Sequence, residues 1–85
     1  MNRYTVTYTS AALDSLAGQW LTSPNRGAIT KAGDEIDRQL AIDPHNLGQE
    51  LREGLYRLIV APLRVLFTIE DGDRTVTIWA VAIIG

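Results

Sequence analysis

The sequence predicts an α+β domain of order β-α-α-β-β-β, an antiparallel sheet with a helical hairpin packed on one face. Three observations predict it. The first residues alternate at period two. Two apolar stripes at helical spacing follow, separated by a short break. From Gln49 to the end the period returns to two, with turn residues between the runs.

In the first run, Arg3 to Thr9, Tyr4, Val6 and Tyr8 alternate with polar residues and share one face of a strand. Ser10 then stands as an N-cap, and Asp14 in the first turns suits the helix dipole. Leu13, Leu16, Ala17, Trp20 and Leu21 fall at i, i+3, i+4, i+7 and i+8, which predicts one core-facing stripe on the first helix. Thr22-Ser23-Pro24-Asn25 breaks that helix and starts another, with Ser23 as cap and Pro24 at the first helical position. Ala28/Ile29, Ala32, Ile36 and Leu40 form the second stripe, with Ile42 near its end. Asp34 and Arg38 are an i,i+4 pair of favourable orientation. Asp43-Pro44 stops the helix, because the residue before proline is pushed out of the helical region.

Leu51 to Ala61 reads as a strand with Leu55, Arg57 and Ile59 on one side and Tyr56, Leu58 and Val60 on the other. Ala61-Pro62 predicts a tight reversal. In the next strand Leu63, Val65, Phe67 and Ile69 face the helices, and Arg64, Leu66, Thr68 and Glu70 face away. Asp71-Gly72 supplies a hairpin turn. In the last strand Val76, Ile78, Ala80 and Ala82 alternate with Thr75, Thr77, Trp79 and Val81. Helices cover only one side of a sheet, so an open face holding Arg64, Leu66, the threonines and Trp79 is expected. Trp and Arg on such a face are favoured interface anchors, which makes Trp79 and Leu66 partner-binding candidates. The apolar end, Ile83 and Ile84, joins them, since such an end is least costly against another chain.

Composition narrows the classes. The chain has 85 residues, 8 Lys+Arg against 10 Asp+Glu, a net charge of -2, no cysteine and one histidine. One domain spanning residues 1–85 is expected. Zinc fingers, thiol nucleophiles and Cys/His relays are excluded, and no cofactor or metal is expected. The start, MNRYTVTYTS, has no apolar core of a secretory signal, and no stretch approaches the ~20 apolar residues of a membrane helix. A cytoplasmic location without a membrane partner is the default expectation. The acidic balance argues against a generic phosphate-backbone binder.

The element order and several short motifs resemble the RelE/ParE superfamily of type II toxin–antitoxin toxins, often labelled plasmid-stabilisation proteins. The motifs are Tyr4-Thr5-Val6, Leu40-Ala41-Ile42-Asp43-Pro44, Leu47-Gly48, Leu51-Arg52 and Gly54-Leu55-Tyr56-Arg57-Leu58. They continue in Leu63-Arg64-Val65-Leu66-Phe67 and Val76-Thr77-Ile78-Trp79-Ala80-Val81, so the likeness spans nearly the whole chain. None is specific alone; their order and spacing carry the assignment.

The resemblance implies a small toxin neutralised by an antitoxin that wraps its sheet and helices. One branch cleaves mRNA in the ribosomal A site and another poisons DNA gyrase. The nuclease branch uses basic residues on the open sheet face, because cleavage by a 2′-hydroxyl needs proton removal and stabilisation of phosphate charge. Arg64 matches the family's strand arginine, and Arg57 stands where active members carry a lysine, so these two are the catalytic candidates. The chain departs from the nuclease pattern elsewhere. Ile59 occupies the next basic position, Ile83-Ile84 replaces an arginine, and the expected C-terminal tyrosine is missing before Gly85. His45 lies in the loop after the second helix and reads as ordinary surface. The expectation is a toxin-like protein that binds an antitoxin and acts on gyrase or the translation machinery without a complete ribonuclease site. The alternatives are a ribosome-dependent mRNA endonuclease with an altered site, or a binding module without toxicity. A homodimer joined through strand edges or the open sheet is also compatible with the apolar C-terminal strand.

Overall fold

The computed structural model describes residues 3–84. Its elements run β1 (Thr5–Tyr8), α1 (Ser10–Thr22), α2 (Arg26–Ile42), α3 (Pro44–Leu47), β2 (Gln49–Arg52), β3 (Leu55–Val60), β4 (Leu63–Glu70) and β5 (Thr75–Ile83). The strands form one sheet in the order β1-β5-β4-β3-β2. β3, β4 and β5 form the expected antiparallel meander, and β2 adds antiparallel to β3. β1 departs from the expected antiparallel sheet: it lies parallel to β5, from Thr5 opposite Thr75 to Tyr8 opposite Ile78, and the sheet is mixed. A parallel neighbour requires a long crossover, and here the helices and three strands supply it.

Several boundaries move for local reasons. Thr9, not Ser10, caps α1, its hydroxyl accepting from the Ala12 N–H at 3.1 Å. α2 begins at Arg26, so Pro24 lies in the connection and not at the first helical position. The single strand expected from Leu51 to Ala61 is two, β2 and β3, folded back on each other across Glu53-Gly54. The turn after β4 spans Asp71 to Arg74, and its positive φ (51°) falls on Arg74, not on Asp71 or Gly72. Arg38 pairs with Glu35 one position away from the predicted Asp34.

The core forms where α2 meets the sheet. Ile29, Ala32, Ile36 and Leu40 are buried along one helix face, the stripe the spacing predicts. Each large aliphatic there contributes about 1.5–3 kcal/mol by leaving water. They pack on Leu63, Val65 and Phe67 of β4 and on Val76 and Ile78 of β5. Phe67 is completely buried and stacks on Tyr56, with ring centroids 5.5 Å apart. Gly48 admits the Phe67 ring: a Cβ there would stand 2.6 Å from Phe67 Cζ.

Two predicted faces are rearranged. In β5, Ile78 pairs with Phe67 but Ala80 pairs with Leu66, so one extra residue is inserted at Trp79. Such a bulge reverses the alternation beyond it. Val81, expected on the open face, is buried in the core, while Ala80 turns outward. In α1 only Ala12 is fully buried, and Leu13, Trp20 and Leu21 are exposed. The helix is rotated so that Ala12, Leu16 and Gln19 approach the sheet, with Gln19 Nε2 donating to the Val81 carbonyl at 2.9 Å. The stripe predicted to be core therefore lies largely outside it.

Candidate interaction surfaces

The open sheet face gathers four of the predicted site residues. Arg57 pairs with Leu66, and Ile59 pairs with Arg64, so both arginines share this face as diagonal neighbours on adjacent strands. Arg57 is half-buried and donates to Gln49 Oε1, its partner position on β2. Arg64 is exposed. Trp79, 53% exposed at the bulge, donates its indole N–H to Thr68 Oγ1 at 2.8 Å. That bond lays the ring beside β4, where Leu66 and Thr68 are successive outward residues. The face thus combines two guanidinium groups with one anchored aromatic ring.

The C-terminal residues sit elsewhere. Ile83 pairs with buried Leu63, which places it on the helix side at the rim, and it is 38% exposed. Ile84 is half-buried, and its N–H donates to the Pro62 carbonyl at 2.8 Å. β5 is also not an edge strand over Thr75–Ile78, because β1 pairs with it there.

His45 lies far from the arginines along the sheet. Its Nε2 is 2.7 Å from Asp71 Oδ1, the same oxygen that accepts from the Tyr4 hydroxyl at 2.8 Å. The two rings meet edge to face. These hydrogen bonds, that from His45 first, hold the Asp71 carboxyl below its ordinary range, and the bond to Asp71 raises the Tyr4 phenol. The three residues clasp β1, α3 and the β4–β5 turn at one end of the sheet. No carboxylate or imidazole is hydrogen-bonded to Arg57 or Arg64 among the described residues.

A second surface was hidden in the sequence as a presumed core stripe. An apolar groove of about 590 Å³ runs between α1 and α2. One wall is Leu13, Leu16, Ala17, Trp20 and Leu21 of α1. The other is Thr30, Gly33, Asp34 and Asp37 of α2, at i, i+3, i+4 and i+7, with Ile29 beneath. The Trp20 indole N–H donates to Thr30 Oγ1 at 3.0 Å, and the Arg26 guanidinium lies 4.9 Å from the Trp20 ring centre, closing the hairpin end. At the other end the Tyr8 hydroxyl donates to Asp37 Oδ1 at 2.7 Å. Burial, and then repulsion from Asp34, raises the Asp37 carboxyl despite that bond; burial and the carboxylate raise the Tyr8 phenol.

No family model and no curated sequence matches the chain. Solved structures do. A chain of the RelBE2 toxin–antitoxin complex of Mycobacterium tuberculosis is similar over 98% of this chain and 93% of its own, at 27% identity and a TM-score of 0.80. The isolated RelE toxin of E. coli covers 96% of this chain with 85% of its own, at 12% identity and a TM-score of 0.69. This chain belongs to the RelE/ParE superfamily. Within that superfamily the likeness extends to the ParDE toxin–antitoxin system of P. aeruginosa, covering all of both chains at 14% identity and a TM-score of 0.67. The RelE/ParE fold accounts for the mixed sheet and the hairpin resting on one face. No helix among the described residues is long and apolar enough to cross a membrane.

Proposed function

We propose that this protein is the toxin component of a type II toxin–antitoxin pair, held inactive by an antitoxin that docks on its helical hairpin and sheet. One observation carries this reading: a fold shared with chains of toxin–antitoxin complexes presents an uncovered apolar groove between α1 and α2. Contiguous apolar surface of that kind is normally an interaction site. Trp79 and Leu66 add a separate patch on the opposite, open sheet face, and Ile83 and Ile84 lie at the rim of the helix side.

The toxin's own action is proposed to be binding to gyrase or the translation machinery, without cleavage. In support, Arg57 and Arg64 can hold a phosphate, but no general base stands with them among the described residues. The second reading, a ribosome-dependent mRNA endonuclease, is favoured by one feature: two cofacial arginines beside an aromatic ring match phosphate and base.

The test expresses the chain in a bacterial host alone and with any short reading frame found adjacent to its gene. Growth arrest relieved by the neighbour is expected. Absence of both arrest and a complex removes the reading. Translating ribosomes incubated with the protein separate the two modes: intact mRNA is expected, and cuts that vanish in Arg64→Ala establish the nuclease instead. A flat response in a supercoiling assay removes gyrase.

A further inference from the structure

We propose that the α1–α2 groove is built for an amphipathic helix that carries a basic flank, seated with its apolar stripe on α1, its backbone close over Gly33, and a Lys or Arg on Asp34 and Asp37. This rests on the antitoxin-docking reading of the groove and adds the chemistry of its occupant.

Three independent features point to it. First, the two walls differ in kind. α1 presents Leu13, Trp20 and Leu21, whereas α2 presents small and acidic residues along one helical strip. An occupant matching both is apolar on one side and cationic on the other. Second, neither carboxylate is paired with a cation among the described residues, and the two lie at i,i+3 on one face. Third, Gly33 sits mid-helix, where glycine costs about 1 kcal/mol relative to alanine. Nothing in the protein's own fold requires it, for a Cβ built there meets no atom within 4 Å. The open space lies inside the groove, where a missing side chain lets another backbone approach closely.

A second copy of this chain fits poorly. Its uncovered apolar helix, α1, carries no Lys or Arg and would bring Asp14 toward Asp34 and Asp37. A partner with a basic flank meets no such repulsion.

The test uses two stapled helical peptides of about 16 residues, long enough to span the groove as helices. They share one leucine stripe and differ only in lysines or glutamates along one flank. Binding is read from Trp20 fluorescence in a Trp79→Phe background. The lysine peptide is expected to bind roughly tenfold tighter or better, a factor equal to 1.4 kcal/mol. Asp34→Asn with Asp37→Asn should bring the two peptides level. Gly33→Leu should abolish binding while its circular dichroism and melting temperature stay close to the parent's. Equal affinities in the parent, a preference for glutamate, or full binding by folded Gly33→Leu overturns the proposal. The docking reading fails separately, if an antitoxin that binds the parent chain binds Leu21→Asp equally well. If that variant loses the partner and the peptides are still indistinguishable, only the basic-flank inference falls.

Discussion

Gly48 shows how much one absent methyl group decides. Phe67 fills the centre of the core, and its ring edge occupies the space where a Cβ of residue 48 would stand. Gly48→Ala should therefore destabilise the fold by about 1–3 kcal/mol, the usual range for overpacking, seen as a lower denaturant midpoint with unchanged slope. Asp37 behaves oppositely. Burial raises its folded pKa, so the ionised carboxylate opposes folding at neutral pH. Asp37→Asn keeps an acceptor for the Tyr8 hydroxyl and should melt at an equal or higher temperature at pH 7, by thermal scan. Asp71 has a depressed pKa, so its clasp to His45 and Tyr4 contributes fully above the carboxylate range, about pH 4. That contribution is lost as pH falls through the lower folded value. Asp71→Asn should flatten the acid limb of a melting-temperature profile below about pH 4. A parallel shift of the whole profile would contradict this assignment.

At the scale of elements, α2 and α1 illustrate two outcomes of the same spacing. Both carry apolar residues at helical intervals. The α2 stripe is buried because the sheet lies beneath it. The α1 stripe is not, because the helix leans on the sheet through Ala12, Leu16 and Gln19, one step round the helix from Leu13, Ala17 and Trp20. Periodicity reports that a face is apolar and cannot report what covers it. The exposure of α1 makes its stability depend on its start. Thr9→Ala removes the cap on the Ala12 N–H and should cost about 1 kcal/mol, with α1 amides exchanging faster than those of α2. In α2, Gly33→Ala should stabilise by up to about 1 kcal/mol, because the added methyl meets open space.

At the scale of the molecule, the sheet separates the two candidate surfaces. The side away from the helices holds Arg57, Arg64 and Trp79 within a few strand widths. The hairpin groove lies on the other side of the fold. An antitoxin that occupies both should lose affinity in two separable steps. Trp79→Ala should weaken the complex by about 2 kcal/mol if the ring is a central anchor, measured by calorimetry. Leu21→Asp should weaken it independently, with the two effects adding because the sites share no contacts.

The sequence by itself determined the two long helices, the β4 alternation, the β5 alternation as far as Ile78 and the α2 stripe. These depend on spacing between near neighbours, whereas Arg57 and Arg64, whose faces alternation alone leaves to the register, share one because β3 and β4 pair with Arg57 opposite Leu66. Only the tertiary structure decided three further things. β1 runs parallel to β5, a pairing between residues 70 positions apart in sequence. The bulge at Trp79 sends Val81 inward, an insertion that leaves the residue pattern unbroken. The α1 stripe faces a groove and not the core, because the tilt of a helix on a sheet is set by contacts from the whole chain. Local periodicity selects which residues share a face; long-range packing selects which faces remain open for a partner.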